Sequence, residues 1–391
     1  MRMAAEPARP YYASGRLKVV IVGPYPKPGE PLAGGTERVI DCLLGTLPKM
    51  IDLSLIVPGA DIDLQDTRNG LKIYYLRKRS LPGFLRYWRQ DARAVAHQIE
   101  AIGPDLVHVH SGSGSSRFIT RPTIITVHGM LGRDIVEKNR GNIYRIAIAR
   151  AIGLFVSTIE KRYRRRAKNA IVISPYMKEA LPDLNNIKTF DIPNPVAPEF
   201  LISERPNNKN RERHLVAVQR IGPLKNTLGM VKAAVYALKQ DTEARLTICG
   251  QVGDNSHYRA CLEVVRGSGL EDRIVFAGHK TTDEIIHLLD SARCYITMSR
   301  QETAPMAVAE ALCRGTAVLG PNNFGFPHMI EQGRNGFLWP QEDLKGQAAL
   351  ILSALNYEWD HDGIMQEARE KYGVEEIGER TYKAYREIAY S

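Results

Sequence analysis

Cysteine is scarce in this chain, and the little present does not cluster. The five residues, Cys42, Cys249, Cys261, Cys294 and Cys313, are odd in number and form no C-x-x-C pair. Such spacing argues against a disulfide framework or a zinc ribbon and makes a reducing compartment the expectation. Long hydrophobic runs are missing too. The most apolar window, AIARAIGLFVSTI at 147–159, is too short to span a bilayer and carries Arg150. The opening MRMAAEPARPYYASG lacks the apolar core of a secretory signal. No tandem repeat or low-complexity tract stands out. These absences lead us to expect a cytoplasmic protein with a short disordered tail over 1–16.

What is present is ordinary in bulk and unusual in charge. At 391 residues the chain exceeds the usual single-core limit, so two domains are expected. Lys plus Arg is 53 against 43 for Asp plus Glu, a formal charge of +10. That balance favours anionic partners such as nucleotides, phosphates or acidic lipid surfaces. No recognised nucleic-acid motif accompanies it, so nucleic acid is not expected as a partner.

From residue 17 short β-branched runs alternate with helical stretches. The runs are LKVVIV (17–22), DLSLIV (52–57), LKIYYL (71–76), DLVHVH (105–110), TIITVH (123–128) and AIVIS (170–174). Each is almost continuously apolar, as suits parallel strands buried on both faces. A Pro- and Asn-rich segment then marks a linker. Strands resume with HLVAVQRI (214–221), RLTICG (245–250), RIVFAG (273–278), CYITMS (294–299), AVLG (317–320) and GFLW (336–339). The reading is α/β throughout. It comprises a Rossmann-like domain over 17–196, a linker over 197–212, a second such domain over 213–373 and a final amphipathic helix over 374–391. Ligands of such sheets bind at the carboxyl ends of strands, here an interdomain cleft.

Several segments bear candidate chemistry. Gly34-Gly35 precede a helix opening at Thr36-Glu37. They form either an anion site at a helix N-terminus or a tight strand-to-helix turn. The pattern is not G-x-G-x-x-G, which argues against a standard nicotinamide site. Arg220 ends a strand and Lys225 follows just before a helix. The pair is either a diphosphate clamp or two solvated loop cations. His108 and His110 share one strand face, so a metal site comes to mind, although no cysteine or acidic partner lies nearby and a core role fits at least one. His128, before Gly129, ends its strand at the cleft mouth, where a neutral imidazole can donate to a sugar hydroxyl, or else packs in the core. The basic run YRRRAKN (163–169) and the basic-aromatic FLRYWRQ (84–90) suit either a solvated face or an acidic membrane.

The stretch SRQETAPMAVAEALCRG (299–315) is the most informative. Glu302 and Glu310 flank small and apolar residues. Pro305 is placed to open a helix, leaving Glu302 in the loop at the strand end. Ala304 and Met306 then offer backbone N–H groups to an anion. Glu310, about one and a half turns along, reaches the cleft edge. Phosphates held between a sugar at Glu302 and a ribose at Glu310 would satisfy both carboxylates.

This ordered set resembles the family-4 retaining glycosyltransferases of GT-B fold. It consists of Gly34-Gly35-x-Glu37, Thr126-x-His128-Gly129, Arg220-x4-Lys225, Glu302-x7-Glu310 and NGFLW, and it runs from about 17 to 390. The resemblance implies two facing Rossmann-like domains and a C-terminal helix crossing back to the first. It implies metal-independent transfer of a hexosyl group, with retention, from a UDP- or GDP-sugar to a glycan or lipid-linked acceptor in cell-envelope polysaccharide synthesis. No cofactor beyond that donor is implied. Arg220 and Lys225 would hold the diphosphate beside the backbone of Gly34, Gly35, Gly250, Ala304, Pro305 and Met306. Glu310 would take the ribose, Glu302 the donor sugar, and His128 a place near the reacting carbon. Departures from the family are Gln219 where glycine is usual, QVGD after LTICG, Thr303-Ala304 for Phe-Gly, and His328 for a glutamate. They bear on which donor fits. Rival readings are an epimerase or phosphorylase on the same fold, or a non-catalytic binding subunit. Oligomeric state is left open.

Overall fold

The computed structural model describes residues 15–32, 34–78, 91–110, 113–138, 143–202, 211–339 and 343–391. Nearly all of the tail over 1–16 and all of the FLRYWRQ stretch lie outside them. The first lobe contains β1 (Lys18–Val22), β2 (Asp52–Ala60), β3 (Leu64–Arg68), β4 (Leu71–Arg77), β5 (Leu106–His110), β6 (Thr123–Thr126), β7 (Asn169–Val172) and β8 (Lys188–Asp191). They form one sheet in the order β3-β4-β2-β1-β5-β6-β7-β8. All neighbours are parallel except β3 with β4. The second lobe orders β9 (Glu212–Val218), β10 (Arg245–Cys249), β11 (Ile274–Gly278), β12 (Ala292–Ile296), β13 (Ala317–Pro321) and β14 (Gly336–Trp339) as β11-β10-β9-β12-β13-β14.

The apolar runs become the central strands because both their faces are covered. All of Val19 to Val22, and all five residues of β5, are buried. Two strands were not read from the sequence. β3 alternates exposed and half-buried residues, which is an edge pattern. It turns into β4 through Asn69-Gly70, both at positive φ, 51° and 81°. A two-residue Asn-Gly loop is the strongest short hairpin signal. β8 is short and half exposed, without the apolar run that marks its neighbours.

Each lobe has its own core. Val196 and Phe200 already belong to the second, so the segment read as a linker from 197 begins packed; 203–210 lie outside the described residues. The His361–Tyr372 helix packs on the second core, and after Gly373 the Val374–Ala389 helix packs on the first. It buries Ile377, Ala384, Tyr385 and Ile388 there, each large apolar side chain contributing about 1.5–3 kcal/mol. Gly378 allows the approach: a Cβ there would lie 2.4 Å from Thr46 Cγ2.

Candidate active site between the lobes

On the second-lobe side three loops meet. The loop from β12 toward the Met306–Cys313 helix is tied to the loop after β9 through one carbonyl. Leu224 O accepts from Arg300 N at 2.9 Å and from Ser299 Oγ at 3.4 Å. That link puts Lys225 beside Glu302, and Lys225 Nζ donates to Glu302 Oε1. From the other side Gly325 N donates to Glu302 O at 3.0 Å. A Cβ on Gly325 would stand 1.8 Å from Thr303 O, so only glycine permits this approach. Pro305 precedes the helix rather than opening it, a one-residue offset at a capped end.

Arg220 is exposed and lies along Gly253, where a Cβ would come within 2.4 Å of its Nε. Gly250 has φ 141°, and a Cβ there would sit 2.0 Å from Gln219 O. Close backbone packing thus accounts for that glycine. Gln219 donates to Thr227 Oγ1 at 3.2 Å, while its own Oε1 is buried with no hydrogen-bond partner. His328 lies 3.6 Å from Glu179 of the first lobe.

On the first-lobe side the Gly35–Thr46 helix begins against the second lobe's helix. The nearest atom to a Cβ on Gly35 would be Met306 Cγ, at 3.5 Å. Ala304 and Met306 pack against the first core. Arg38, from the start of that helix, donates to Glu310 Oε1 at 3.1 Å. Glu310 is 2% exposed, so it lies in the seam between lobes rather than at an open edge. Burial raises its pKa, and Arg38 opposes that rise. Arg38 was missed in the sequence. The available signal was a cation near a helix N-terminus, where the helix dipole disfavours it unless a carboxylate answers. A second bridge between lobes runs from Gln301 Nε2 to Asp134 Oδ1, 2.8 Å. Asp134 also lies 3.7 Å from where a Gly129 Cβ would be, which brings the His128-Gly129 turn toward Glu302.

His128 is half-buried and does not stand alone. Its Nε2 is 2.9 Å from His110 Nδ1, and the rings stack at 5.2 Å. His110 Nε2 is 3.2 Å from His108 Nδ1. His108 in turn meets Tyr385 OH at 2.5 Å and Thr126 Oγ1 at 2.6 Å. Burial pushes His108 down to about 3 and His128 to about 4, and His110 well below the usual imidazole range. Among the described residues no group of three His, Cys, Asp or Glu side chains is arranged to hold a metal ion.

Beyond His128 the chain enters a helical hairpin, Leu131–Lys138 and Ile143–Ala167. Its helices cross at Gly132 and Gly153, where a Cβ on either would lie 2.5 Å from the other's carbonyl oxygen. Ile148, Ile152, Leu154 and Phe155 are exposed on the longer helix, followed by exposed Lys161, Arg162, Arg165 and Arg166. Arg164, within the basic run, is different: it is buried and doubly bonded to Asp183 at 2.9 and 3.1 Å. No helix among the described residues is long and apolar enough to cross a membrane.

Two facing doubly wound lobes, a seam lined by strand ends and a terminal helix crossing back define the GT-B architecture. Anabaena HepE, solved with UDP and glucose, superposes with a TM-score of 0.71 at 15% identity, over 95% of this chain and 100% of that one. At that identity the likeness concerns the fold. The family models agree: "Glycosyltransferase Family 4" matches 33–200 and "Glycosyl transferases group 1" matches 199–373. The chain belongs to the group 1, family 4 glycosyltransferases. Among similar proteins, N-acetyl-alpha-D-glucosaminyl L-malate synthase of Bacillus anthracis is 25% identical over 46% of this chain and 45% of its own. The amylovoran biosynthesis glycosyltransferase AmsK of Erwinia amylovora is 31% identical over 42% of this chain and 41% of its own. The chain therefore spans under half the length of these curated relatives.

Proposed function

We propose that the protein is a retaining, metal-independent glycosyltransferase. It moves a sugar from a nucleoside diphosphate sugar to a glycan or lipid-linked glycan in polysaccharide or glycolipid synthesis. The observation that carries this reading is the pair of cation–carboxylate contacts at the seam, Lys225 with Glu302 and Arg38 with Glu310. Family membership and the naming of AmsK for amylovoran biosynthesis support it.

In this reading Arg220 and Lys225 grip the diphosphate, Arg220 through its planar fork and Lys225 as a point charge. The backbone about Gly34, Gly35 and Met306 adds N–H donors to the same anion. Arg38 holds Glu310 by one oxygen and leaves Oε2 to accept from ribose hydroxyls. Glu302 accepts from the sugar. As the bond from the anomeric carbon to the phosphate oxygen breaks, its electrons pass to the diphosphate. Fixed cations and N–H groups stabilise that growing charge more than the ground state. The acceptor oxygen bonds to the same face of the carbon, and its proton passes to the departing phosphate oxygen. No side-chain nucleophile is required. The hairpin's exposed apolar turns and basic end offer a surface for an anionic membrane holding a lipid-linked acceptor.

Calorimetry with UDP and GDP, followed by transfer assays on the sugar nucleotide that binds, tests the assignment. Loss of transfer in both Lys225→Ala and Glu310→Ala is expected, with chelator without effect and the product's anomeric configuration retained. Full activity in both variants would remove the assignment.

A further inference from the structure

Among the described residues, four that are not glycine take a positive φ: Asn69, Lys168, Asn226 and Phe324. Asparagine tolerates the left-handed region, and Lys168 follows the end of the Ile143–Ala167 helix, where chains often turn that way. Phe324, at φ 53°, has neither reason. A large side chain is strained there, and strain of this kind persists only where surrounding contacts hold it.

The contact comes from the other lobe. The Phe324 ring meets Tyr176 edge-on, with centroids 5.7 Å apart and planes at 76°. A T-shaped pair at this spacing is favourable. Tyr176 is buried at the start of the short helix Tyr176–Ala180, which follows β7. Its hydroxyl accepts from Arg133 Nη1 at 2.7 Å. One turn further on, Glu179 of the same helix faces His328, so the helix meets the 324–328 turn at two points.

That turn bears on Glu302. The Gly325 N–H lies in the peptide plane that follows Phe324, so the backbone angles of Phe324 aim it at Glu302 O, 3.0 Å away. Two adjacent residues of the helix Leu131–Lys138 therefore reach the Glu302 loop by separate routes. Arg133 does so through Tyr176, Phe324 and Gly325, and Asp134 through Gln301.

We propose that Phe324 is a positioning residue: its ring, seated on Tyr176 of the first lobe, holds the Gly325 turn against Glu302 and so sets that carboxylate for the donor sugar. The inference rests on the reading of Glu302 as the donor-sugar residue. It gives the first lobe a share in shaping a site built from second-lobe loops.

Hydrogen exchange of the full-length protein without ligand, followed in peptides that span Gly325, reads the turn directly. Tyr176→Leu should speed exchange there about tenfold, the loss of one aromatic pair. Tyr176→Phe keeps the ring edge and should recover most of that protection. Steady-state transfer with the UDP- or GDP-sugar that binds reads the chemistry. Phe324→Gly and Phe324→Ala should each lose about tenfold in kcat, with the Kd for UDP or GDP unchanged. Glycine takes a φ of 53° without strain and alanine does not. Phe324→Ala should therefore unfold at the lower temperature, although the two variants lose the same kcat. Tyr176→Leu combined with Phe324→Gly should lose no more kcat than either alone. Unaltered exchange in Tyr176→Leu, wild-type kcat in Phe324→Gly, or losses that multiply in the double variant would overturn the proposal. A wild type that binds neither UDP nor GDP would instead refute the donor-site reading, because the exchange measurement needs no nucleotide.

Discussion

In the second lobe Lys225 and Glu302 are set by main-chain hydrogen bonds among three neighbouring loops, with Gly325 pressed against Thr303. In the first lobe Arg38, His110 and His128 are set by side chains reaching from separate strands and helices. The second-lobe arrangement is held by main chain and steric in origin, so substitutions there should damage chemistry before stability. The first depends on buried polar partners, and removing one leaves another unsatisfied, so stability should suffer first.

The sharpest contrast is between two ion pairs. Arg164 and Asp183 are both about 4% exposed. Arg164→Ala should destabilise the protein by about 3–5 kcal/mol in denaturant unfolding while leaving nucleotide affinity intact. Glu302→Ala should do the opposite, with kcat lower by about 10²–10³ and the unfolding midpoint little changed. If both variants lose stability equally, the contrast between lobes fails. Arg38→Ala falls between them: it strands a buried carboxylate, costing about 1–3 kcal/mol, and should raise KM for the nucleotide sugar more than it lowers kcat.

Acid should act more through the first lobe, which holds three burial-depressed histidines, than through the second, which holds His214 and His257. The three histidines are neutral in the folded chain and titrate near 6.5 when unfolded. Their contribution is fully present above pH ~6.5 and is lost as pH falls from there toward the folded values of about 3 and 4. The slope is up to about 1.4 kcal/mol per pH unit for each ring. His108→Asn should flatten that slope in unfolding measured from pH 7 to 5. The smallest effect expected is at the hairpin. Arg165→Glu with Arg166→Glu should weaken binding to phosphatidylglycerol vesicles by about 1 kcal/mol per charge, read by co-sedimentation, with no change in transfer to a soluble acceptor.

The same contrast explains what could be read from residues alone. The buried strands were legible because parallel sheets demand continuous apolar runs, and the placing of Lys225, Glu302 and Glu310 beside the seam because each lies just past a strand end. Arg38 was hardly legible: a cation near a helix N-terminus is its one local sign, and its partner lies 272 residues away. His108 and His110 could be placed on one face of β5, but their joining to His128 depends on the pairing of β5 with β6. Arg164 looked like one cation in a solvated run, and only the fold shows it turned inward onto Asp183. The β3–β4 hairpin escaped although its Asn69-Gly70 turn was in plain view, because attention to apolar runs passes over an edge strand whose faces are half wet.

The helix Val374–Ala389 supplies Ile377, Tyr385 and Ile388 to a core whose first strand begins at Lys18. During synthesis domains generally fold in order, N-terminal first. Here the earlier half must wait for residues made after the later half is finished, so it emerges with an open groove on its flank. A nascent chain halted near residue 373 would carry a folded later half and an incomplete earlier one, and should be the more readily cleaved in the half made first.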